Sequence, residues 1–168
     1  MSIKHPIIAV TGSSGAGTTT VKQSFEHIFL REKIAAAVIE GDSMHKYDRA
    51  GMKRIIAEME AAGAPLPTHF GPNANLLPEL SGMFRVYGET GYCKRRFYLH
   101  SEEEAAPYGQ PPGTFTPWEE IPEHTDLLFY EGLHGAHVGD DADVAQHVDL
   151  AIGVVPVVNL EWIQKIHR

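Results

Sequence analysis

The run Gly12-Ser13-Ser14-Gly15-Ala16-Gly17-Thr18-Thr19 follows directly on the apolar residues Ile7-Ile8-Ala9-Val10. Its glycines admit backbone angles closed to other residues, so successive N–H groups can converge on an anion. A helical pattern from Thr18 to Leu30 comes next and would add the positive end of its dipole. The spacing is that of a phosphate-cradling loop, G-x-x-x-x-G-K-[S/T], in the strand–loop–helix setting which that motif requires. The expected nucleotide contacts are Gly12, Ser13, Ser14, Gly15, Ala16, Gly17, Thr18, Thr19 and Thr20. One position departs from the pattern: Thr18 stands where a lysine would reach the β- and γ-phosphates. Thr19 falls where a hydroxyl would ligate Mg²⁺. A dinucleotide fingerprint does not fit, because these glycines read G-x-x-G-x-G and not G-x-G-x-x-G. The plain alternative is a glycine-rich turn in an ordinary strand–helix–strand unit.

Two carboxylates stand where such a loop would need them. Asp42 follows the extended stretch Ala36–Glu40, and Glu131 ends the apolar stretch Leu127–Tyr130. Phosphoryl transfer asks a protein for positioning, charge neutralisation and a base for the attacking hydroxyl. Asp42 is the candidate base, and Glu131 is the candidate ligand of Mg²⁺ or of its water. The bland readings are a Gly-Asp turn capped by its own side chain and a solvated strand end. His45 and Arg49, with Tyr98 and His100, are candidates for gripping a second, anionic substrate, since arginine suits bidentate phosphate contacts. Lys165 and Arg168 are either a solvated helix face or the source of the cation missing at Thr18. The ten histidines show no zinc-ligand spacing. His134 and His137 lie just past Glu131 and have no assigned role.

These residues need a scaffold. Strand patterns at 7–10, 36–40, 127–130 and 150–155 alternate with helical patterns at 18–30 and 49–62. A further helix is expected from Leu76 to Tyr87, kinked or started at Pro78, and another begins at Asn159. Lys94 to His100 reads as extended, and the acidic, proline-rich 101–125 reads as loop. The fold class is therefore α/β: a mostly parallel sheet with helices on both faces. Ligands of such sheets bind beyond the carboxyl ends of the strands, so Thr11, Gly41-Asp42, Glu131 and Pro156 mark one rim.

The bulk numbers agree. The 168 residues suit one domain with its own core. A net charge of −8 argues against a nucleic-acid surface. The single cysteine, Cys93, rules out an intrachain disulfide and a CxxC metal site. No apolar run reaches membrane length and the N-terminus lacks a signal-peptide pattern, so a cytoplasmic enzyme is the expectation.

The chain resembles the bacterial phosphoribulokinases. The blocks that carry the resemblance are His5–Ile8 with the loop GSSGAGT, EGDSMHKYDRAGMK from Glu40 to Lys53, Tyr87–Gly91, LLFYEGLHGA from Leu127 to Ala136, and Ile152 to Arg168. Threonine at position 18 also looks like this branch. The resemblance implies a P-loop kinase that uses ATP and Mg²⁺ to convert D-ribulose 5-phosphate to D-ribulose 1,5-bisphosphate in the Calvin cycle. It implies Asp42 as general base, and Thr19 and Glu131 serving the Mg²⁺–nucleotide. It further implies His45, Arg49, Tyr98 and His100 on the sugar phosphate, with Lys165 and Arg168 on substrate and transition-state charge. A homo-oligomer that responds to NADH and AMP is implied as well. Family members continue past Arg168 with a catalytic aspartate and a lid, so residues 1–168 are expected to be a single nucleotide-binding kinase core whose own activity is impaired. The rival readings are a related small-molecule kinase such as a uridine kinase, or a nucleotide-binding module without catalysis.

Overall fold

The computed structural model describes residues 4–156 together with 163 and 166. Along the chain run β1 (Ile7–Gly12), α1 (Thr18–Glu32), β2 (Ala36–Glu40), α2 (Arg49–Ala61), α3 (Leu77–Thr90), β3 (Lys94–Arg95), α4 (Glu102–Ala105), β4 (Glu119–Glu120), β5 (Leu127–Gly132) and β6 (Leu150–Val154). The strands β2, β5, β1 and β6 pair in that order, all parallel. β1 and β5 lie inside the sheet with both faces covered, which is why they read as near-continuous apolar runs.

Alternate strand residues serve opposite faces. On one face, Val10, Leu127 and Phe129 pack with Val21, Phe25 and Phe29 of α1. The Phe129 ring lies 5.1 Å from Phe25 and 5.5 Å from Phe29 between centroids. On the other face, Ile7, Ala9, Leu128 and Tyr130 pack with Leu80, Phe84 and Tyr87 of α3. The expected parallel sheet with helices on both faces is therefore present. Ile28 of α1 is 40% exposed. The face packed on the sheet is the i, i+4, i+8 set of Val21, Phe25 and Phe29, the first two partly buried and Phe29 buried.

Local chemistry explains the other departures. Pro78 lies in the first turn of α3, where a missing N–H costs nothing, so it starts the helix and does not kink it. The segment expected as loop from 101 to 125 holds α4 and β4. Ser101 caps α4, its hydroxyl accepting from the Glu104 N–H, and β4 pairs antiparallel with β3. Only Lys94–Arg95 of the extended stretch is regular strand. Residues 97–99 continue against 113–116, with Tyr98 opposite Phe115. Cys93 is buried and unpaired, and burial pushes its thiol up to about 12. No helix among the described residues is long and apolar enough to cross a membrane. The helix expected from Asn159, with Lys165 and Arg168, lies outside the described residues except at 163 and 166.

Candidate active site

The loop after β1 is fixed from both sides. Gly12 pairs with Val154 of β6, and a Cβ at Gly12 would stand 2.7 Å from the Val154 carbonyl oxygen, so only glycine fits. Gly17 turns the chain into α1 at φ 100°, a left-handed angle, and no side chain caps that helix end. The first intrahelical bond of the turn is donated by Val21 to the Gly17 carbonyl oxygen at 3.2 Å. The N–H groups of Thr18, Thr19 and Thr20 are thus in the orphan first turn, where anions bind. Ala16 behaves differently from its neighbours. Its N–H is donated to the Ser13 carbonyl oxygen at 2.9 Å, and it does not line the cleft above the loop.

That cleft, about 1260 Å³, is lined both by the loop and by the rim. Asp42 sits in a 3₁₀ turn, Gly41–Met44, directly after β2. Its Oδ1 lies 3.4 Å from His45 Nε2, and its Oδ2 lies 3.5 Å from His100 Nε2. The hydrogen bond from His45 holds the Asp42 carboxyl below its ordinary value; burial opposes this, and the charges of His45, His100 and His69 assist it. Arg49 opens α2 and donates from Nη2 to the His100 carbonyl oxygen at 3.2 Å. The Tyr98 ring stands edge-on to His45 and His100 at 6.2 and 4.8 Å. His45 and Arg49 do not share a helix face, because the chain is extended at His45. They meet in the cleft by another route, through the arm that carries Tyr98 and His100.

Glu40 and Glu131 are register partners on adjacent parallel strands. Lys22 of α1 reaches across and donates to Glu40, with Glu26 at 3.9 Å. Burial pulls Lys22 downward, but the hydrogen bond to Glu40 and the charges of Glu40, Glu26 and Glu131 outweigh it and hold the ammonium above its usual 10.5. A cation therefore stands in the cleft one helical turn beyond Thr18. Mg²⁺ takes hard oxygen ligands and keeps several waters, so one hydroxyl and one carboxylate beside bound phosphates suffice. Thr19 and Glu131 are such donors and face the same cleft. The donor set fits Mg²⁺ only with phosphate oxygens completing it, because no cluster of three metal-ligating side chains occurs among the described residues.

Of the residues singled out in the sequence, the loop (Ala16 apart), Asp42, His45, Arg49, Tyr98, His100 and Glu131 line this one cleft. Sequence reasoning missed Lys22, Glu40, His69 and Asn75, which line it too, as does His134, which was left without a role. Burial, together with the charges of His137 and His45, lowers His134, and its Nε2 is buried without a hydrogen-bond partner. Arg96 was also missed. It donates to the Ser43 and His45 carbonyl oxygens, both at 2.7 Å.

A parallel sheet with a phosphate loop after an inner strand and a carboxylate-bearing rim beside it is the fold of a P-loop kinase. The chain belongs to the phosphoribulokinase/uridine kinase family, whose model matches residues 7–168. It is 61% identical over 168 residues to the chromosomal phosphoribulokinase of Cupriavidus necator, covering 100% of this chain and 58% of that protein. It is 59% identical over 165 residues to the phosphoribulokinase of Nitrobacter vulgaris, covering 98% of this chain and 57% of that one. Its structure matches the phosphoribulokinase from Rhodobacter spheroides with a TM-score of 0.86 at 52% identity, over 98% of this chain and 56% of the other. A putative fructose transport system kinase from Silicibacter shares the fold, with a TM-score of 0.70 at 14% identity. The chain spans little more than half the length of the phosphoribulokinases it matches.

Proposed function

We propose that the chain acts as a phosphoribulokinase, transferring the γ-phosphoryl group of ATP to D-ribulose 5-phosphate to give ADP and D-ribulose 1,5-bisphosphate. One observation carries the reading: a phosphate loop, the Asp42 carboxyl group and a set of cationic and hydrogen-bonding side chains share a single cleft. In this reading residues 1–168 form one nucleotide-binding kinase unit that acts in the cytoplasm, as a homo-oligomer, on a small molecule.

The amides of the loop and of the first turn of α1 hold the β- and γ-phosphates. Thr19 and Glu131 hold Mg²⁺, which when bound neutralises charge on the phosphates. Asp42 takes the proton from the sugar hydroxyl. A carboxyl held below its ordinary value is a carboxylate at neutral pH, the form a base requires. Arg49, His100, Tyr98 and His45 orient the sugar phosphate over Asp42. Lys165 and Arg168 are assigned to transition-state charge on the resemblance alone.

Coupled ADP release from this chain, measured with a panel of ribulose 5-phosphate, uridine and other sugar phosphates, tests the reading. Turnover on ribulose 5-phosphate is expected. Turnover confined to uridine, or nucleotide binding without turnover on any acceptor, overturns it.

A further inference from the structure

Asn75 is 1% exposed and spends its whole amide on fixed partners. Its Nδ2 donates to the carbonyl oxygens of His69 at 2.8 Å and Gly71 at 2.7 Å. Those two carbonyls decide which way the amide faces, because the flipped group would set Oδ1 against two oxygens that cannot donate. Oδ1 is therefore the atom 2.8 Å from His45 Nδ1, and that contact requires a proton on Nδ1. The backbone imposes the meeting. Lys46 N–H donates to the Ala74 carbonyl and Leu76 N–H to the Met44 carbonyl, both at 2.8 Å. Residues 45 and 75 thus oppose each other across an antiparallel bridge as a non-hydrogen-bonded pair, the kind whose side chains come closest.

A neutral imidazole carries one N–H. With it on Nδ1, Nε2 is a lone pair, and it lies 3.4 Å from Asp42 Oδ1. One proton fits between those two atoms: when Nε2 carries it, the imidazolium donates the hydrogen bond that lowers Asp42, and when it does not, Nε2 is free to accept. His69, whose ring centroid is 4.6 Å away, and Tyr98 at 6.2 Å also face this ring, and His134 interacts with its charge.

We propose that Asn75 fixes His45 in its Nδ1–H form so that Nε2 receives the proton which Asp42 removes from the substrate hydroxyl. The inference rests on the phosphoryl transfer proposed above. The hydroxyl oxygen forms its bond to the γ-phosphorus, and the bond from that phosphorus to the β,γ-bridging oxygen breaks, its electron pair leaving on ADP. The hydroxyl proton passes to Asp42 Oδ1 and on to His45 Nε2. Asp42 returns to carboxylate within the site, and His45 becomes an imidazolium with one N–H on Asn75 and the other on Asp42. Asn75 is thus a positioning residue that acts through His45.

Long-range ¹H–¹⁵N spectra of the chain labelled with ¹⁵N-histidine read the tautomer directly. His45→Gln assigns the signal, and the spectra are taken at an alkaline pH where the ¹⁵N shifts themselves show a neutral ring. The expected wild-type ring carries its proton on Nδ1, and Asn75→Leu moves it to Nε2. Turnover of Asn75→Leu is expected to fall about 10²-fold in kcat while KM for ribulose 5-phosphate holds, the signature of lost proton transfer. A wild-type ring protonated on Nε2, or an Asn75→Leu ring still protonated on Nδ1, overturns the proposal. The wild-type spectrum decides even where the variant does not fold. It also reads the tautomer without turnover, so a chain that phosphorylates no sugar phosphate overturns the function proposed above while the spectrum still decides on Asn75.

Discussion

The Nε of Arg96 donates to the carbonyl oxygen of Ser43 at 2.7 Å, one residue beyond Asp42. Its Nη2 holds the His45 carbonyl, and its guanidinium lies 3.8 Å from the Phe115 ring centroid and 4.8 Å from that of Trp118. One side chain thus locks the turn that aims Asp42 to the arm that carries Tyr98 and His100. Lysine cannot supply the planar fork or the stacking. Arg96→Lys is expected to lower kcat about 10²-fold, the cost of a base displaced by about 1 Å. Arg96→Met is expected to lose about 3 kcal/mol of stability, the lower end for two charged hydrogen bonds. Steady-state kinetics and urea unfolding check the two figures.

Removing the base itself has a larger effect. Asp42→Asn keeps the shape of the turn and is expected to reduce kcat by about 10²–10⁴-fold. Unchanged turnover would remove Asp42 from the role.

The Asp42 carboxyl is held below its ordinary 3.8, first of all by the hydrogen bond from His45. A lowered carboxylate stabilises the fold fully above its unfolded value, and the contribution fades as pH falls through the lower folded value. Carboxyl NMR titration should place Asp42 under 3.8, and His45→Ala should bring it back up. A carboxyl that titrates at its ordinary value in the wild-type chain would contradict the geometry.

Lys22 is the described cation that lines the cleft beside Glu40 and Glu131. Lys22→Met leaves two neighbouring carboxylates with less positive charge to offset them. Nucleotide affinity is expected to fall roughly tenfold, the value of one charged hydrogen bond, as calorimetry with Mg²⁺–ATP would show. Glu131→Gln removes a hard anionic ligand. It should raise the Mg²⁺ concentration needed for half-maximal turnover, and EDTA should abolish turnover in both forms.

The sheet and loop were legible because their signals are local. Apolar runs with turn residues behind them locate β1, β2, β5 and β6, and a fixed glycine spacing locates the phosphate loop. The small elements were not. Ser101-Glu102-Glu103-Glu104 does carry a capping signal, but α4 is only four residues long. Asn75 sits in a stretch of Pro, Gly and Asn that reads as loop, and its partner His45 is thirty positions away in the chain. Arg96 finds Phe115 and Trp118 only when two such irregular stretches pack together. Long-range pairing of short segments leaves no periodicity to read.

The order β2-β5-β1-β6 puts one strand, β5, between the phosphate loop and the turn that bears Asp42. Neighbouring strands stand about 4.8 Å apart, so the two chemical halves of the rim are separated by roughly 10 Å. The sheet itself is the gauge for that gap. Backbone pairing sets it, so swapping side chains in the cleft can change which acceptor is welcomed without altering how far that acceptor must reach toward the donor.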